Sequence, residues 1–336
     1  MRSIICAGAG LAAFMLAPAG SAGERAIAEE AELASWAVPD VDKLPDDTWG
    51  RTVRLGRDLI ARTYAHIGPE VADPAKRYAG NNLSCGNCHI GAGTQPFGNP
   101  FAGTFAAYPS YRARSGAVGT IEDRIEGCME RSMNGRKLPL EAPEMIAMVA
   151  YLKFLATGRP VGEPTPGAGA GHMPELTRAA DPAHGRAVYA AQCAICHGPN
   201  GEGQRNGMAG DAKGYAVPPL WGADSFNDGA GMNRLTDAAN FIHNNMPMGT
   251  TWQHPMVAAP DAWDVAAFVQ SQPRPHKAGL ERDYPDRLDK PVDAPFGPYA
   301  DGFGEQQHRL GPFAPIHAAI AALRAQRKQP PVQDAK

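Results

Sequence analysis

The chain has 336 residues, more than the roughly 100–200 of a usual single domain, so we expect two domains. Its formal net charge is only −3, and it contains no basic run interleaved with aromatic residues, which argues against a nucleic-acid partner. Its 38 glycines and 31 prolines are many for a helical protein and indicate long irregular loops between the helices.

Residues 1–22 have the pattern of a secretory signal peptide. Arg2 precedes an apolar run over residues 4–16, and small residues end at Ala22, after which we expect cleavage. The run is shorter than the ~18 residues that a membrane-spanning helix needs, so an uncleaved anchor is the weaker interpretation. Cys6 follows a large residue inside this run, which argues against a lipid-anchored cysteine. We therefore expect a periplasmic protein with no membrane span after removal of the signal.

Residues 23–157 are predicted to form the first domain, which opens with a helix over residues 46–67. Asp46 or Asp47 can cap this helix, and apolar side chains then recur every seven residues along one face.

The spacing Cys-x-x-Cys-His occurs twice, at residues 85–89 and 193–197. This spacing is the c-type haem attachment signature, in which two thiols form thioethers with the haem and the imidazole binds its iron. Paired disulfides or zinc ligands are the alternative, but two such motifs in plausible settings favour two covalently bound c-type haems. The attachment cysteines are Cys85, Cys88, Cys193 and Cys196, and the axial histidines are His89 and His197.

Two further helices are predicted in the first domain. Thr120 begins a capping-box pattern that predicts a helix over residues 120–133. Apolar spacing predicts a closing helix over residues 143–156, followed by Gly158 and Pro160, which end helices.

Residues 158–175 have the proline and glycine content of a linker, and the plan of the first domain then repeats over residues 176–272. Asp181 and Pro182 begin a helix that runs into the second haem motif, a second helix runs over residues 236–244, and a closing helix covers 260–272. The expected fold is therefore all-α, with two cytochrome c-type domains.

Residues 273–336 form a long, irregular C-terminal tail with a short apolar helix near residues 318–323. Such a tail is often disordered, but this one contains aromatic residues that could pack. We expect it to pack on the body of the protein. Its aromatic residues include Tyr284, Phe296, Tyr299, Phe303 and Phe313.

The second haem needs a sixth ligand from a residue that precedes the closing helix. Met246 is preferred because it directly follows a predicted helix and precedes Pro247, a common setting for an axial methionine. Met246 could instead fill the core while Met248 binds. A thioether ligand raises the reduction potential, so this haem should be the better electron acceptor. The full set of candidates is Met208, Met232, Met246, Met248 and Met256.

One cysteine is left after the signal and both haem motifs are accounted for, namely Cys128. On a helix Cys128 shares a stripe with Arg124 and Ser132, four residues away on either side. Nearby cations stabilise a thiolate and attract anions, although a buried free thiol is also an ordinary use of cysteine. The candidates for the sixth ligand of the first haem are Cys128, Met129, Met133 and Lys137.

The mature chain resembles the diheme thiosulfate dehydrogenases, which are periplasmic cytochromes c that join two thiosulfates into tetrathionate. The most specific part is the run Glu122-Asp123-Arg124-Ile125-Glu126-Gly127-Cys128, which continues to Gly135. The resemblance is carried by residues 80–89, 111–114, 122–135, 245–247 and 297–302.

The resemblance implies that Cys128 is the thiolate ligand opposite His89, so that the first haem is the catalytic one. It also implies active-site roles for Arg114, Arg124 and Ser132. One position departs from some members of the family, which have a lysine before the methionine where this chain has Asn245. Exchange of a lysine and a methionine on the second haem is therefore not expected here.

The expected reaction joins two thiosulfate ions to one tetrathionate ion and passes two electrons through the haems to a cytochrome-type or other periplasmic acceptor. Arginine charges offset the repulsion between the two dianions. A covalent thiosulfate adduct on Cys128 is one hypothesis, and tuning of the iron alone is the other. Run in reverse, the same couple makes a tetrathionate reductase. We expect a monomer.

Two other functions are compatible with the sequence. A sulfur-oxidising cytochrome of the Sox type also uses a cysteine-ligated haem, but it loads thiosulfate onto a carrier protein. A diheme electron carrier has no substrate site, and thiosulfate alone does not reduce it.

Overall fold

The computed structural model describes residues 36–328 together with Leu33. The predicted signal peptide, the start of the first predicted domain and residues 329–336 lie outside the described residues. From Ala37 onward the chain forms one unit, in which the two haem motifs and the tail share contacts.

The first half of the chain is helical, with one small hairpin. In the hairpin, strands β1 and β2 pair antiparallel, with Tyr111 opposite Val118. Ile90–Gly93 is a tight turn rather than a regular helix, because Gly91 and Ala92 have positive φ. The elements are α1 Thr48–Ala61, α2 Thr63–Ile67, α3 Ile90–Gly93, β1 Ser110–Arg112, β2 Ala117–Gly119, α4 Ile121–Met129 and α5 Pro143–Leu155.

The second half repeats this order and adds the tail. Strands β3 and β4 form a second antiparallel pair, with an irregular register between Gln204 and Arg205. The elements are α6 Pro182–Gln192, α7 Ala194–His197, β3 Gln204–Arg205, β4 Tyr215–Val217, α8 Leu235–Asn245, α9 Ala259–Gln270, α10 Glu305–Leu310 and α11 Ala314–Lys328. Short 3-10 segments are Val41–Lys43, Pro74–Lys76, Cys85–Asn87, Phe105–Ala107, Gly231–Asn233, Leu280–Arg282 and Arg287–Asp289.

In each half the first helix crosses the closing helix of its cytochrome domain, α5 or α9, at a glycine. A Cβ on Gly56 of α1 would lie 2.0 Å from the carbonyl oxygen of Ala147 in α5. A Cβ on Gly185 of α6 would lie 1.9 Å from the carbonyl oxygen of Asp264 in α9. Only a residue without a side chain permits these approaches, and each crossing places the end of the first helix beside a haem motif.

The predicted helix starts are confirmed where a capping side chain was recognised. Asp47 accepts a hydrogen bond from the Gly50 N–H at 2.7 Å, and Asp181 accepts from two N–H groups of α6. Thr120 and Asp123 form the predicted capping box of α4. These caps satisfy N–H groups that the first turn of a helix leaves unpaired.

Two helix predictions in the first half of the chain were wrong in length. The helix expected over residues 46–67 breaks at Arg62, whose φ of −134° is not helical, and restarts at Thr63. The break lets the Thr63 hydroxyl turn toward the haem motif, where it accepts a hydrogen bond from the Cys85 N–H. The helix expected over residues 120–133 ends at Met129, because the chain then folds back and the Gly135 N–H bonds the Met129 carbonyl.

The tail packs into the core of the second half. Phe313 is 2% exposed and Ile316 is fully buried, and both belong to a cluster with Leu235 and Trp263. The helix expected near residues 318–323 is longer and covers α11. No helix within residues 36–328 has the length and apolarity to cross a membrane.

A polar junction around Glu70 joins the two halves next to the first haem motif. One Glu70 oxygen accepts hydrogen bonds from Arg205 at 2.5 Å and from Asn82 at 3.2 Å, and the other accepts from the Ala212 N–H. Burial alone would raise the pKa of Glu70, but the Arg205 hydrogen bond and backbone donors outweigh it, so its pKa lies below the usual value.

Replacing Glu70 with glutamine should weaken this junction in a pH-dependent way. Since the folded state lowers the pKa of Glu70, its stabilisation is present above the unfolded pKa of ~4.5 and is lost as the pH falls through the folded pKa. We expect Glu70→Gln to lower the free energy of unfolding by about 1–2 kcal/mol at pH 7, and by less below pH ~4. Urea unfolding of the haem-loaded protein at both pH values measures this.

Glu305→Gln is the matched control, because Glu305 pairs with Arg309 on the exposed face of α10. We expect it to change stability by less than about 0.5 kcal/mol at either pH. A loss in Glu70→Gln that is the same at both pH values would contradict a role for the ionised carboxylate.

Candidate active site

A largely apolar cavity contains the first haem motif. It brings together six predicted site residues from two separate parts of the chain. Its walls include Ile60, Phe101 and Met148, which give the apolar surroundings that a porphyrin requires. The predicted residues that line it are Cys85, Cys88, His89, Arg124, Cys128 and Ser132.

The His89 ring is held by the loop that follows the haem motif. Its Nδ1 lies 2.6 Å from the Asn99 carbonyl oxygen, and the ring stacks on Phe101 with centroids 4.1 Å apart. Burial lowers the pKa of His89 to about 4, so the imidazole is neutral at pH 7. With Nδ1 donating to a carbonyl, Nε2 carries the free lone pair that an iron ligand requires.

The two thiols of the first motif line the same cavity. Burial raises the pKa of Cys85 to about 11 and that of Cys88 to about 12. The short Cys85–Asn87 segment brings the His89 N–H to the Cys85 carbonyl at 2.9 Å. The paired thiols, the adjacent imidazole and the apolar walls fit a covalently attached haem.

Arg124 and Cys128 meet as their four-residue spacing predicts. The Arg124 Nη1 donates to the Cys128 Sγ at 2.8 Å, and the electrostatic interaction with Cys128 is the main cause of a raised pKa at Arg124. Ser132 lies past the end of α4, so it is not on the same helical stripe, but it lines the same cavity. A thiol, a hydroxyl and a guanidinium therefore face one space.

Arg114 has a different position from the other predicted site residues. It is not among the residues that line the cavity. Its Nη1 donates to Asp283 of the tail at 3.1 Å and to the Gly229 carbonyl at 3.2 Å, and its guanidinium lies 5.2 Å from the Tyr284 ring centroid. The Arg114 charge is thus balanced by a carboxylate that lies 169 residues later in the chain.

Asp283 also holds a second arginine of the α4 region. Arg131 donates to the other Asp283 oxygen at 2.8 Å. Burial lowers the pKa of Arg131, and the neighbouring Arg114 charge lowers it further. Two cations share one carboxylate, and nothing in the local sequence around Asp283 signals this role.

Residues of the second half complete the first cavity. Phe226 and Met232 both line it, although they lie beyond the second haem motif in sequence. Met232 was a candidate for the sixth ligand of the second haem, and its position in the first cavity is a reason against that role. Local spacing could not have revealed this, because the contact depends on how the two halves pack.

The second motif repeats the geometry of the first. The His197 Nδ1 lies 2.9 Å from the Pro218 carbonyl oxygen, and the His197 N–H bonds the Cys193 carbonyl at 2.9 Å. Burial lowers the pKa of His197 and raises that of Cys193 to about 11. Cys196 is exposed. This set also fits a covalently attached haem with His197 Nε2 toward the iron.

The methionine candidates for the second haem differ in exposure. Met246 is partly buried at the end of α8. Met208, Met248 and Met256 are exposed by 80%, 88% and 59%.

Asn245, the residue before Met246, is held by hydrogen bonds to the first half of the chain. The Asn245 Nδ2 donates to the carbonyl oxygens of Phe97 and Phe241, and its Oδ1 accepts from Gln95 at 2.9 Å. Asn245 is 6% exposed. Its amide therefore links the end of α8 to the loop that holds His89, and it has no free group to offer a haem.

The chain is similar to proteins of two known families. A family described as the SoxA/TsdA cytochrome c domain matches residues 75–161, and the cytochrome c family matches residues 182–273. The predicted all-α fold with two cytochrome c domains is confirmed, and these domains indicate two c-type haems.

Two relatives are named thiosulfate dehydrogenase. The one from Thiomonas intermedia is 40% identical over 243 residues, 72% of each chain. The one from Allochromatium vinosum is 42% identical over 255 residues, 74% of this chain and 87% of the relative.

A solved structure is similar as well. It is the thiosulfate dehydrogenase TsdBA from Marichromatium purpuratum in its as-isolated form. The two share 33% identity with a TM-score of 0.66, over 75% of this chain. The match spans about half of that longer chain, 52% of its length.

Removing the Asp283 carboxylate should destabilise the fold around Arg114 and Arg131. Asp283→Ala leaves two partly buried guanidinium groups without their shared acceptor, so we expect a loss of about 2–3 kcal/mol in the free energy of unfolding. Denaturant unfolding with both haems attached measures this loss.

Asp289→Ala in the same tail is the control, since Asp289 pairs with the more exposed Arg324 at 3.4 Å. It should cost less than about 1 kcal/mol. Equal midpoints for Asp283→Ala and wild type would show that the carboxylate does not hold the two arginines.

Proposed function

The chain belongs to the diheme thiosulfate dehydrogenases, and from this membership we propose that it oxidises two thiosulfate ions to tetrathionate in the periplasm and delivers two electrons to an external acceptor. The observation that carries this proposal is the shared cavity of Cys128, Arg124 and the first haem motif. An electron carrier without a substrate would not need a cationic side chain facing a thiol beside the haem.

We assign the first haem to the first cavity. Cys85 and Cys88 would attach it, and His89 and Cys128 would bind its iron. The neutral, oriented His89 ring and the position of Cys128 in the same cavity support this assignment. A thiolate ligand is stabilised by the Arg124 guanidinium, which donates to its sulfur.

We assign the second haem to Cys193, Cys196 and His197, with Met246 as its sixth ligand. The partial burial of Met246, set against the exposure of three other candidates and the placement of Met232 in the first cavity, supports this choice. The side chain of Asn245 is held by hydrogen bonds to Phe97 and Gln95 of the first half, so it is not placed to exchange with Met246. This supports methionine ligation that does not change with redox state. When bound, the two haems each accept one electron and pass it on.

The arginines deal with the repulsion between two dianions. Arg124 faces the cavity and supplies a fixed positive charge at the sulfur of Cys128. Ser132 offers a hydroxyl in the same space. Arg114 does not line the cavity, and Asp283 fixes its guanidinium and offsets its charge, so we assign it a supporting role outside the cavity. Preorganised charge of this kind acts most strongly where water is excluded.

The reaction can be written in two balanced steps through Cys128. The Cys128 thiolate and the outer sulfur of thiosulfate form a sulfur–sulfur bond, and the two electrons released pass to the external acceptor. The outer sulfur of a second thiosulfate then attacks the bound one, which releases tetrathionate and returns Cys128 as the thiolate. No proton is consumed in either step, so the site needs a cation rather than a general base.

The test of the proposed function is thiosulfate-dependent reduction of an artificial acceptor, with tetrathionate measured as the product. We expect Cys128→Gly to lower the rate at least about 100-fold, because the cavity loses its nucleophile. Glu122→Gln is the control on the same helix, since Glu122 does not line the cavity. The haem spectrum should change in Cys128→Gly only.

Two results would contradict the proposal. A requirement for a carrier protein before thiosulfate is consumed would favour a Sox-type cytochrome. Haems that thiosulfate never reduces, in wild type as in Cys128→Gly, would favour a plain electron carrier.

The covalent step predicts an adduct on Cys128. Mass spectrometry of protein treated with limiting thiosulfate and an electron acceptor should show an added S2O3 group on the peptide that contains Cys128. Limiting thiosulfate is needed because excess would release the adduct as tetrathionate. Its consistent absence, while tetrathionate still forms, would leave Cys128 only as a ligand of the iron.

A further inference from the structure

The loop after the first haem motif contains two residues in a strained backbone conformation. Phe97 and Asn99 both have a φ of 54°, in the left-handed region where a bulky residue such as phenylalanine is a true outlier. Strain of this kind persists only where the surrounding structure enforces it, and it is concentrated at functional sites. Residues 97–99 are called the support segment below, because they carry the carbonyl group that contacts His89.

The support segment places that carbonyl group against the His89 ring. The Asn99 carbonyl oxygen accepts a hydrogen bond from the His89 Nδ1 at 2.6 Å. Asn99 is itself fixed by its side chain, which donates to the Cys88 carbonyl at 3.2 Å, and by its N–H, which donates to the Gly169 carbonyl at 2.9 Å. The contact with His89 therefore depends on the backbone conformation of the support segment.

Phe97, at the start of the support segment, is held by residues from outside the first cytochrome domain. The Asn245 Nδ2 donates to the Phe97 carbonyl oxygen at 2.9 Å, and the Phe97 N–H donates to the Gly167 carbonyl at 2.7 Å. The Phe97 ring packs edge-to-face on Trp252, with ring centroids 5.4 Å apart. Asn245 and Trp252 belong to the second half of the chain, so the second half enforces the strained conformation of Phe97.

Asn245 is suited to this task because its own amide group is fixed on both sides. Its Oδ1 accepts from the Gln95 Nε2 at 2.9 Å, and its Nδ2 also donates to the Phe241 carbonyl of α8 at 3.1 Å. The residue is only 6% exposed, so water does not compete for these partners. A buried amide with all of its partners in place is a rigid donor to the Phe97 carbonyl.

We propose that Asn245 is a positioning residue for His89, which it orients through the support segment. It keeps the Asn99 carbonyl at the His89 Nδ1, and an acceptor at Nδ1 makes the imidazole a stronger donor to an iron bound at Nε2. A stronger donor favours the oxidised state, so this contact lowers the reduction potential of the first haem. The inference rests on His89 as an axial ligand in the assignment above but not on thiosulfate as the substrate, and its test therefore uses no substrate.

The test combines hydrogen–deuterium exchange with a spectroelectrochemical titration of the haem-loaded protein. In Asn245→Ala the peptide that contains the support segment should exchange faster, because Phe97 loses a hydrogen bond that enforces its conformation. The midpoint potential of the first haem should rise, because the Asn99 carbonyl is no longer held at the His89 Nδ1. The electron paramagnetic resonance g values of the oxidised first haem should change as well.

Asn240→Ala is the matched control. Asn240 is a buried asparagine of the same helix, 3% exposed, and its side chain bonds the Met173 N–H and the Thr236 carbonyl instead of the support segment. We expect the exchange of the support segment and the first-haem midpoint to match the wild type. The second-haem midpoint, read in the same titration, shows whether either substitution disturbs Met246.

Four outcomes would overturn the proposal: a first-haem midpoint that is unchanged or lower in Asn245→Ala, a shift confined to the second haem, unchanged exchange of the support segment, or an equal first-haem shift in Asn240→Ala. If Asn245→Ala does not accumulate with both haems, Gln95→Ala decides the question, because it removes one of the bonds that fix the Asn245 amide. First-haem g values identical to those of wild type in Gln95→Ala would then show that this amide does not position His89.

Discussion

The crossing of the first and the closing helix of each cytochrome domain is the contact on which the rest of the structure depends. Gly56 and Gly185 let backbone meet backbone where any side chain would collide. The crossing in the first half brings the end of α1 close to Cys85, and Thr63 ties the two together. A haem motif placed beside such a rigid crossing needs little further structure, which is why long irregular loops can supply the remaining walls.

The two halves are not independent haem-binding units. Phe226 and Met232 close the first cavity from the second half, Asn245 bonds the loop that holds His89, and Asp283 of the tail fixes Arg114. The cavity contacts of Phe226 and Met232 lie between the two cytochrome domains. The hydrogen bonds of Asn245 and Asp283 join residues more than 100 positions apart in the chain. A substitution in the second half can therefore alter the chemistry of the first, even though it touches neither Cys128 nor His89.

Local chemistry could be predicted from the sequence, and long-range contacts could not. The caps at Asp47, Thr120 and Asp181 and the two haem motifs depend on neighbours within five residues, so they are visible as patterns. The break at Arg62 was missed because apolar spacing continues through it. The partner of Arg114 and the wall formed by Met232 were missed because they depend on how separate segments cross, for which a single sequence carries no signal.

The place of α11 in the core has a consequence for the second half of the chain. Phe313 and Ile316 fill the core beside Leu235 of α8 and Trp263 of α9. The second cytochrome domain therefore does not complete its core from residues 176–272 alone. A chain cut before α11 would expose the apolar faces of α8 and α9 that the tail covers.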